Sequence, residues 1–365
     1  MQYLKETNLE LSKQDNQMAK GLAILAMVAL HLFCRLGNLP YIPLIYIGNT
    51  PIIYYFGLFG DICVPIYCFC SGYAQYLLRE QEEMQYFFKM RKRLFGFIRH
   101  FWIILIIFSI LGVFYDREGG IPGGFWKFIG NLTLIDLNYN GAWWFVLTYV
   151  FMTLLSPVLY RVVKKCPWIL TGSIFCIIYM ASYIFRFNYS VTFHNVFFKW
   201  LWKQSLLLGT SLFPYIIGMI VRRYHLITIL RTKLSTIKSS VKDLVLCMTV
   251  IVLFLLHCIF QSLSIAPLTG LGTLICFYLW NKTKPVKKFF EFFGKHSTNI
   301  WLTHMFFYMV LFPGLVFKAK FPVIIYLTML LLCVGVSYII NYFEKFICIN
   351  WRKVYAIFKH NSTCV

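Results

Sequence analysis

Lys20-Gly21-Leu22-Ala23-Ile24-Leu25-Ala26-Met27-Val28-Ala29-Leu30-His31 is the stretch that decides the fold class. Ten apolar or small residues separate the two ionisable ones, and Leu32-Phe33-Cys34 prolong the apolar run. A helix that is apolar all round cannot lie on a water-soluble surface. Read over 20–36, the segment has the length of a membrane crossing, for which about 17–25 residues suffice. The residues before it are polar and include Lys5, Glu6, Glu10, Lys13 and Asp15. No apolar stretch begins early enough for a cleavable leader, so the run reads as a permanent signal anchor.

The rest of the chain repeats this pattern. Of 365 residues, 59% are hydrophobic and 13% charged, where a soluble domain carries about 25% charged residues. Mean hydropathy is +0.69. Aromatic residues make up 19%, a bias suited to helices that meet lipid and its interfaces. Ten apolar runs are long enough to be spans: 20–36, 53–78, 97–115, 142–161, 168–186, 205–221, 243–260, 264–281, 297–317 and 321–343. The seventh and eighth are separated only by Gln261-Ser262-Leu263.

Charge gives the orientation. With the N-terminus inside and the spans alternating, 27 of the 35 Lys and Arg fall inside and 8 outside. That asymmetry is the positive-inside pattern, and a missed span would scramble it. The expected fold is therefore all-α: a polytopic transmembrane helical bundle of about ten spans with both termini cytoplasmic. It divides into a cytoplasmic segment 1–19, a membrane domain 20–343 and a cytoplasmic tail 344–365. A net charge of +22 would suggest nucleic acid in a soluble protein. Here topology and anionic lipids account for it, so membrane lipids are expected partners and nucleic acid is not. The basic stretch 222–242 reads as an amphipathic connection near the headgroups. The twelve cysteines are scattered without ligand spacing, and no metal site is expected.

Ionisable groups inside spans are costly and mark function by default. From Lys20 to His31 the helix turns about 1100°, some 20° beyond three turns, and rises about 16 Å. A cation at the cytoplasmic mouth and a deep imidazole thus share one face. Equally, Lys20 is an ordinary anchor and His31 a hydrogen-bonded core residue. A neutral imidazole in such a place can act as general base or acyl carrier, and the cation below it can hold an anion. Asp61, in the second span, falls at a similar depth and can orient the imidazole, or can cap a turn beside an outer vestibule. Ser71-Gly72 permits close helix packing. The cluster Lys89, Arg91, Lys92, Arg93 suits a polyphosphate as well as topology. Trp143-Trp144 reads as an aromatic belt or a platform for a sugar. Gly294-Lys295-His296-Ser297-Thr298-Asn299-Ile300-Trp301-Leu302-Thr303-His304 opens the ninth span with several polar groups, capped by Ser297 or Thr298.

Taken in order, these pieces resemble the acyltransferase-3 family of membrane acyltransferases. Lys20 and His31 match its basic residue, ten-residue gap and histidine. Val64-Pro65-Ile66-Tyr67-Cys68-Phe69-Cys70-Ser71-Gly72-Tyr73 is similar to its second-span signature. Lys92-Arg93-Leu94-Phe95, followed by Phe101-Trp102, looks like its basic approach to the third span, and 294–304 like its late motif. One departure is that Gly96 stands where the family often has the partner of an arginine pair.

The resemblance implies O-acyl transfer, usually of acetyl, from cytoplasmic acetyl-CoA to a hydroxyl on the outer side. The acceptor is expected to be a surface polysaccharide or its lipid-linked precursor, in a bacterial cytoplasmic membrane. On this reading His31 and Asp61 are catalytic. Lys20, Lys89, Arg91, Lys92, Arg93, Ser71 and His296 serve the donor. Trp143, Trp144, Tyr139 and His304 serve the acceptor. Interior ionisable groups also suit a secondary transporter or lipid-linked-sugar flippase, but no inverted repeat or matched pair of broken helices is visible.

Overall fold

The computed structural model describes residues 10–361 other than Asn38 and Arg117. The first nine and last four residues, parts of the expected cytoplasmic ends, and Arg117 of an expected outer loop lie outside the described residues. In chain order the elements are α1 (Lys13–Phe33), a minimal hairpin of β1 (Tyr46–Ile47) and β2 (Thr50–Pro51), α2 (Ile52–Phe59), a 3₁₀ turn (Gly60–Ile62), α3 (Cys63–Gln81), α4 (Tyr86–Tyr115) and α5 (Phe125–Leu132). A second 3₁₀ turn (Gly141–Trp143) leads to α6 (Trp144–Lys165), α7 (Trp168–Phe187), α8 (Val196–Tyr224), α9 (Leu226–Leu234), α10 (Ser239–Ile259) and α11 (Ala266–Leu279). Then come α12 (Lys284–Phe306), a π turn (Phe307–Leu311), α13 (Pro313–Phe317) and α14 (Pro322–Asn361). The two strands pair antiparallel, Tyr46 opposite Pro51.

Among the described residues eight helices are long and apolar enough to cross a membrane. They coincide with all the expected spans but two. The expected eighth, 264–281, is α11, a helix of 14 residues, shorter than a straight crossing needs. The expected ninth lies on α12 and its π turn, and the first turns of α12 carry Lys284, Lys287, Lys288, Glu291 and Lys295. Two boundaries also move. α1 begins at Lys13 because Ser12 and Asp15 form a capping box: the Ser12 hydroxyl accepts from Asp15 N at 3.0 Å, and Asp15 Oδ2 accepts from Ser12 N at 3.0 Å. α14 runs 40 residues and passes the expected end at 343 without a break, since no Gly or Pro interrupts 341–361.

The chain forms two compact units. The first comprises Met1–Leu94 and Trp143–Ser297. Its centre is the crossing of α3 and α8, where Gly72 and Gly218 let the backbones touch. A Cβ on Gly72 would lie 1.9 Å from the carbonyl oxygen of Tyr215, and one on Gly218 2.2 Å from that of Phe69. Between apolar helices in lipid such small-residue contacts supply packing that the hydrophobic effect cannot. The rim helices expose apolar faces: α10 buries only the stripe Leu246, Leu253, His257, with Leu244, Val252 and Leu255 turned outward.

The second unit comprises Phe95–Ala142 and Thr298–Val365. Phe108 stacks on Phe306 at 4.4 Å, and Trp301 Nε1 donates to Ala142 O at 3.0 Å. Its buried polar centre is Asn299. The amide nitrogen of Asn299 donates to Ser337 Oγ at 2.8 Å and Asn341 Oδ1 at 2.9 Å. Its oxygen faces His100 Nε2 at 2.5 Å, and His100 Nδ1 meets Glu344 Oε2 at 2.9 Å. Glu344 also pairs with Arg99 at 3.2 Å. Both ring nitrogens of His100 thus face side-chain oxygens.

Candidate active site

The candidate centre lies in the first unit, on α1 and the turn after α2. Lys20 and His31 stand on one unbroken helix, so the rise of about 16 Å between them holds. Gly60 brings the second element against the first: a Cβ there would lie 2.3 Å from Ala26 O and 2.7 Å from Leu30 Cβ. Only glycine allows that approach, and it sets the turn bearing Asp61 against α1. The His31 carbonyl accepts from Arg35 Nη2 at 3.0 Å.

Asp61 has a partner that the sequence reading did not name. His257 Nε2 lies 3.6 Å from Asp61 Oδ2, with the histidine side chain wholly buried and that of Asp61 12% exposed. His257 sits on the buried stripe of α10, and its other nitrogen, Nδ1, is 2.9 Å from Thr269 Oγ1 of α11. The Thr269 hydroxyl also lies 3.3 Å from the carbonyls of Ile265 and Ala266, so it holds the His257 ring in place from the α11 side. The edge of the His257 ring also packs on Phe59, with centroids 5.9 Å apart. An ionisable residue inside the apolar run 243–260 was visible by the rule that selected His31; its carboxylate partner was not.

The residues expected to serve the donor are placed unevenly. Ser71 and His296 both belong to the first unit; Ser71 is half-buried on α3, and His296 is buried against Phe292, ring centroids 4.9 Å apart. Lys89 is engaged by Glu82 at 2.8 Å, while Arg91, Lys92 and Arg93 are exposed. Among the described residues no three His, Cys, Asp or Glu side chains gather as a metal set.

The model of the acyltransferase domain of the acyltransferase-3 family matches residues 17–342. The chain belongs to the acyltransferase-3 family. No curated protein and no solved structure matches it. The match takes in α1 with Lys20 and His31, the turn bearing Asp61, and the late motif on α12, so the acyltransferase-3 assignment covers the centre described above.

The four residues expected to meet the acceptor divide between the units of this acyltransferase. In the first, Trp143 is wholly buried, so its ring offers no platform as it stands. The Trp144 ring carries the Arg186 guanidinium at 5.3 Å. In the second, Tyr139 is buried and donates to Pro122 O at 2.6 Å. His304 is also buried. Its Nδ1 lies 3.0 Å from Ile300 O and 2.9 Å from Trp301 O, which fixes the proton on Nδ1.

Proposed function

We propose that this membrane acyltransferase moves an acetyl group from cytoplasmic acetyl-CoA to a hydroxyl of an extracytoplasmic glycan or its lipid-linked precursor. The observation that carries the reading is His31, held deep on the helix that begins at the cationic end, inside a chain of the acyltransferase-3 family. The expected ten-span topology, with termini inside a bacterial cytoplasmic membrane, gives the donor and the acceptor their separate sides.

In this reaction His31 takes the proton of the acceptor hydroxyl as general base. The freed oxygen attacks the thioester carbon, the new C–O bond forms, the C–S bond breaks, and the departing thiolate receives the proton. Asp61 and His257, paired at 3.6 Å, act as positioning residues. Donor phosphates meet Lys20 and the Lys89–Arg93 cluster, and Ser71 and His296 lie along the donor's path.

The test is His31→Ala, expressed to the wild-type level, in cells whose surface glycan is read by NMR. Loss of O-acetyl signals is expected. Unchanged acetylation would remove His31 from the mechanism.

A further inference from the structure

The first unit contains a cavity of about 410 Å³ that none of the expected donor contacts lines. Its wall is built from segments in three separate stretches of the chain. Asp15 comes from α1, Arg231 from α9, Lys242 from α10, Lys282 from the link after α11, and Lys287 from α12. All four cations belong to segments that the charge count assigns to the cytoplasm.

Four cations and one carboxylate in one wall are out of balance. Among the described residues only Lys242 has a carboxylate within 4.0 Å, Asp243 at 3.9 Å. Arg231 is held in place by carbonyls, donating to Glu10 O at 2.8 Å and Tyr278 O at 3.4 Å. The Lys282 chain folds back so that its ammonium donates to Trp280 O at 3.1 Å and lies over the Phe277 ring at 4.4 Å. Burial, with Arg231 and Lys287 adding to it, pushes Lys282 down to about 8. Gathering these charges is unfavourable without an anion, and a phosphate-bearing ligand would relieve it.

The volume argues for more than an inorganic ion, since pockets of roughly 300–1,000 Å³ hold small organic ligands. Trp280 lines the cavity and leaves 37% of its surface exposed, enough ring to stack on a base. Distance adds a further condition. From Asp15 at the cavity to His31, α1 rises about 24 Å. A ligand that fills the cavity and reaches His31 must place its reactive group on a long arm away from its phosphates.

We propose that this cavity is the recognition site for the phosphate-bearing nucleotide half of the acyl donor, with Arg231, Lys242, Lys282 and Lys287 as phosphate contacts and Trp280 as the base platform. The inference rests on the donor reading proposed above and adds the place where that donor is gripped. It adds to the exposed Arg91–Arg93 cluster a second grip, lined by several segments, at the start of α1.

The test measures binding of coenzyme A and of adenosine 3′,5′-bisphosphate to the purified full chain by calorimetry. The variants are Lys287→Glu, at an exposed position that leaves packing intact, Lys282→Gln, and Lys282→Arg, which keeps the charge. One charge-assisted phosphate contact corresponds to about ten- to hundredfold in affinity. Both ligands are expected to bind the wild type, to weaken by that factor in Lys287→Glu and Lys282→Gln, and to recover in Lys282→Arg. Equal binding by wild type and both charge-removing variants overturns this site while leaving the donor reading standing. No binding of coenzyme A to the wild type overturns the donor reading and the site with it. A change confined to retention of phosphatidylglycerol in native mass spectra, with coenzyme A unaffected, gives the cavity to a lipid headgroup and also overturns the proposal.

Discussion

The buried approach of His257 to Asp61 leads to a measurable coupling. At 3.6 Å, Coulomb's law with an effective dielectric of about 20 gives an attraction of about 5 kcal/mol for a full ion pair. Removing one member of a buried pair costs about 3–5 kcal/mol, because the other is left without its counter-charge. His257→Gln and Asp61→Asn are each expected to destabilise the protein by about 3 kcal/mol. The double variant should cost clearly less than the sum, giving a coupling energy of about 2–5 kcal/mol. The assay is reversible unfolding in mixed detergent micelles, run on wild type, both singles and the double. A coupling below about 1 kcal/mol, the size of an ordinary neutral hydrogen bond, would refute the reading of Asp61 and His257 as an interacting pair. Activity gives a second reading: a positioning role predicts that His257→Gln alters the pH profile of transfer, whereas a purely structural role lowers the amount of folded enzyme and leaves that profile alone.

Other outcomes follow from separate parts of the molecule. Gly72→Val would drive its Cβ to within 1.9 Å of the Tyr215 carbonyl. It should cost about 3 kcal/mol or more, read as loss of folded, monodisperse protein from detergent extracts. Asn299→Ala strips partners from His100, Ser337 and Asn341. A loss of about 1–3 kcal/mol is expected, and Asn299→Gln should not restore the geometry. Lys282 is held at about 8, below its ordinary 10.5. The unfolded chain therefore binds the proton more tightly between those values, so Lys282's own contribution makes stability rise with pH from about 8 to about 10.5. Coenzyme A affinity should move the opposite way, falling severalfold from pH 8 to 9.5 as Lys282 loses its proton. Asp15, Arg231, Asp243 and Lys287 face the same ammonium, and Lys282→Arg, whose guanidinium stays charged, should flatten Lys282's share of the dependence.

The membrane class, most of the spans and the residues His31 and Asp61 were legible in the sequence. Each is a local matter: apolar length, charge on the flanks, and an ionisable group inside an apolar run. His257 was equally legible as an ionisable group in a span, but not as the partner of Asp61. Which two helices meet is decided by close packing at Gly60 and along the buried stripe of α10, and neither contact leaves a periodic trace. The length of α11 escaped for a related reason: apolar composition records that a segment avoids water, not whether lipid or protein surrounds it.

The cationic cavity marks the division most sharply. Counted along the chain, Arg231, Lys242, Lys282 and Lys287 are topology charges, and the sequence alone determines on which side of the membrane they are expected. That they form one wall with Asp15 is decided only by the tertiary structure, which brings three separate stretches of the chain to one point. Electrostatic repulsion among them depends on distances through space that no spacing in sequence records. The same holds for Asp61: its place in an apolar run follows from the sequence, while the imidazole of His257 paired with it follows from the packing of α10 and α11.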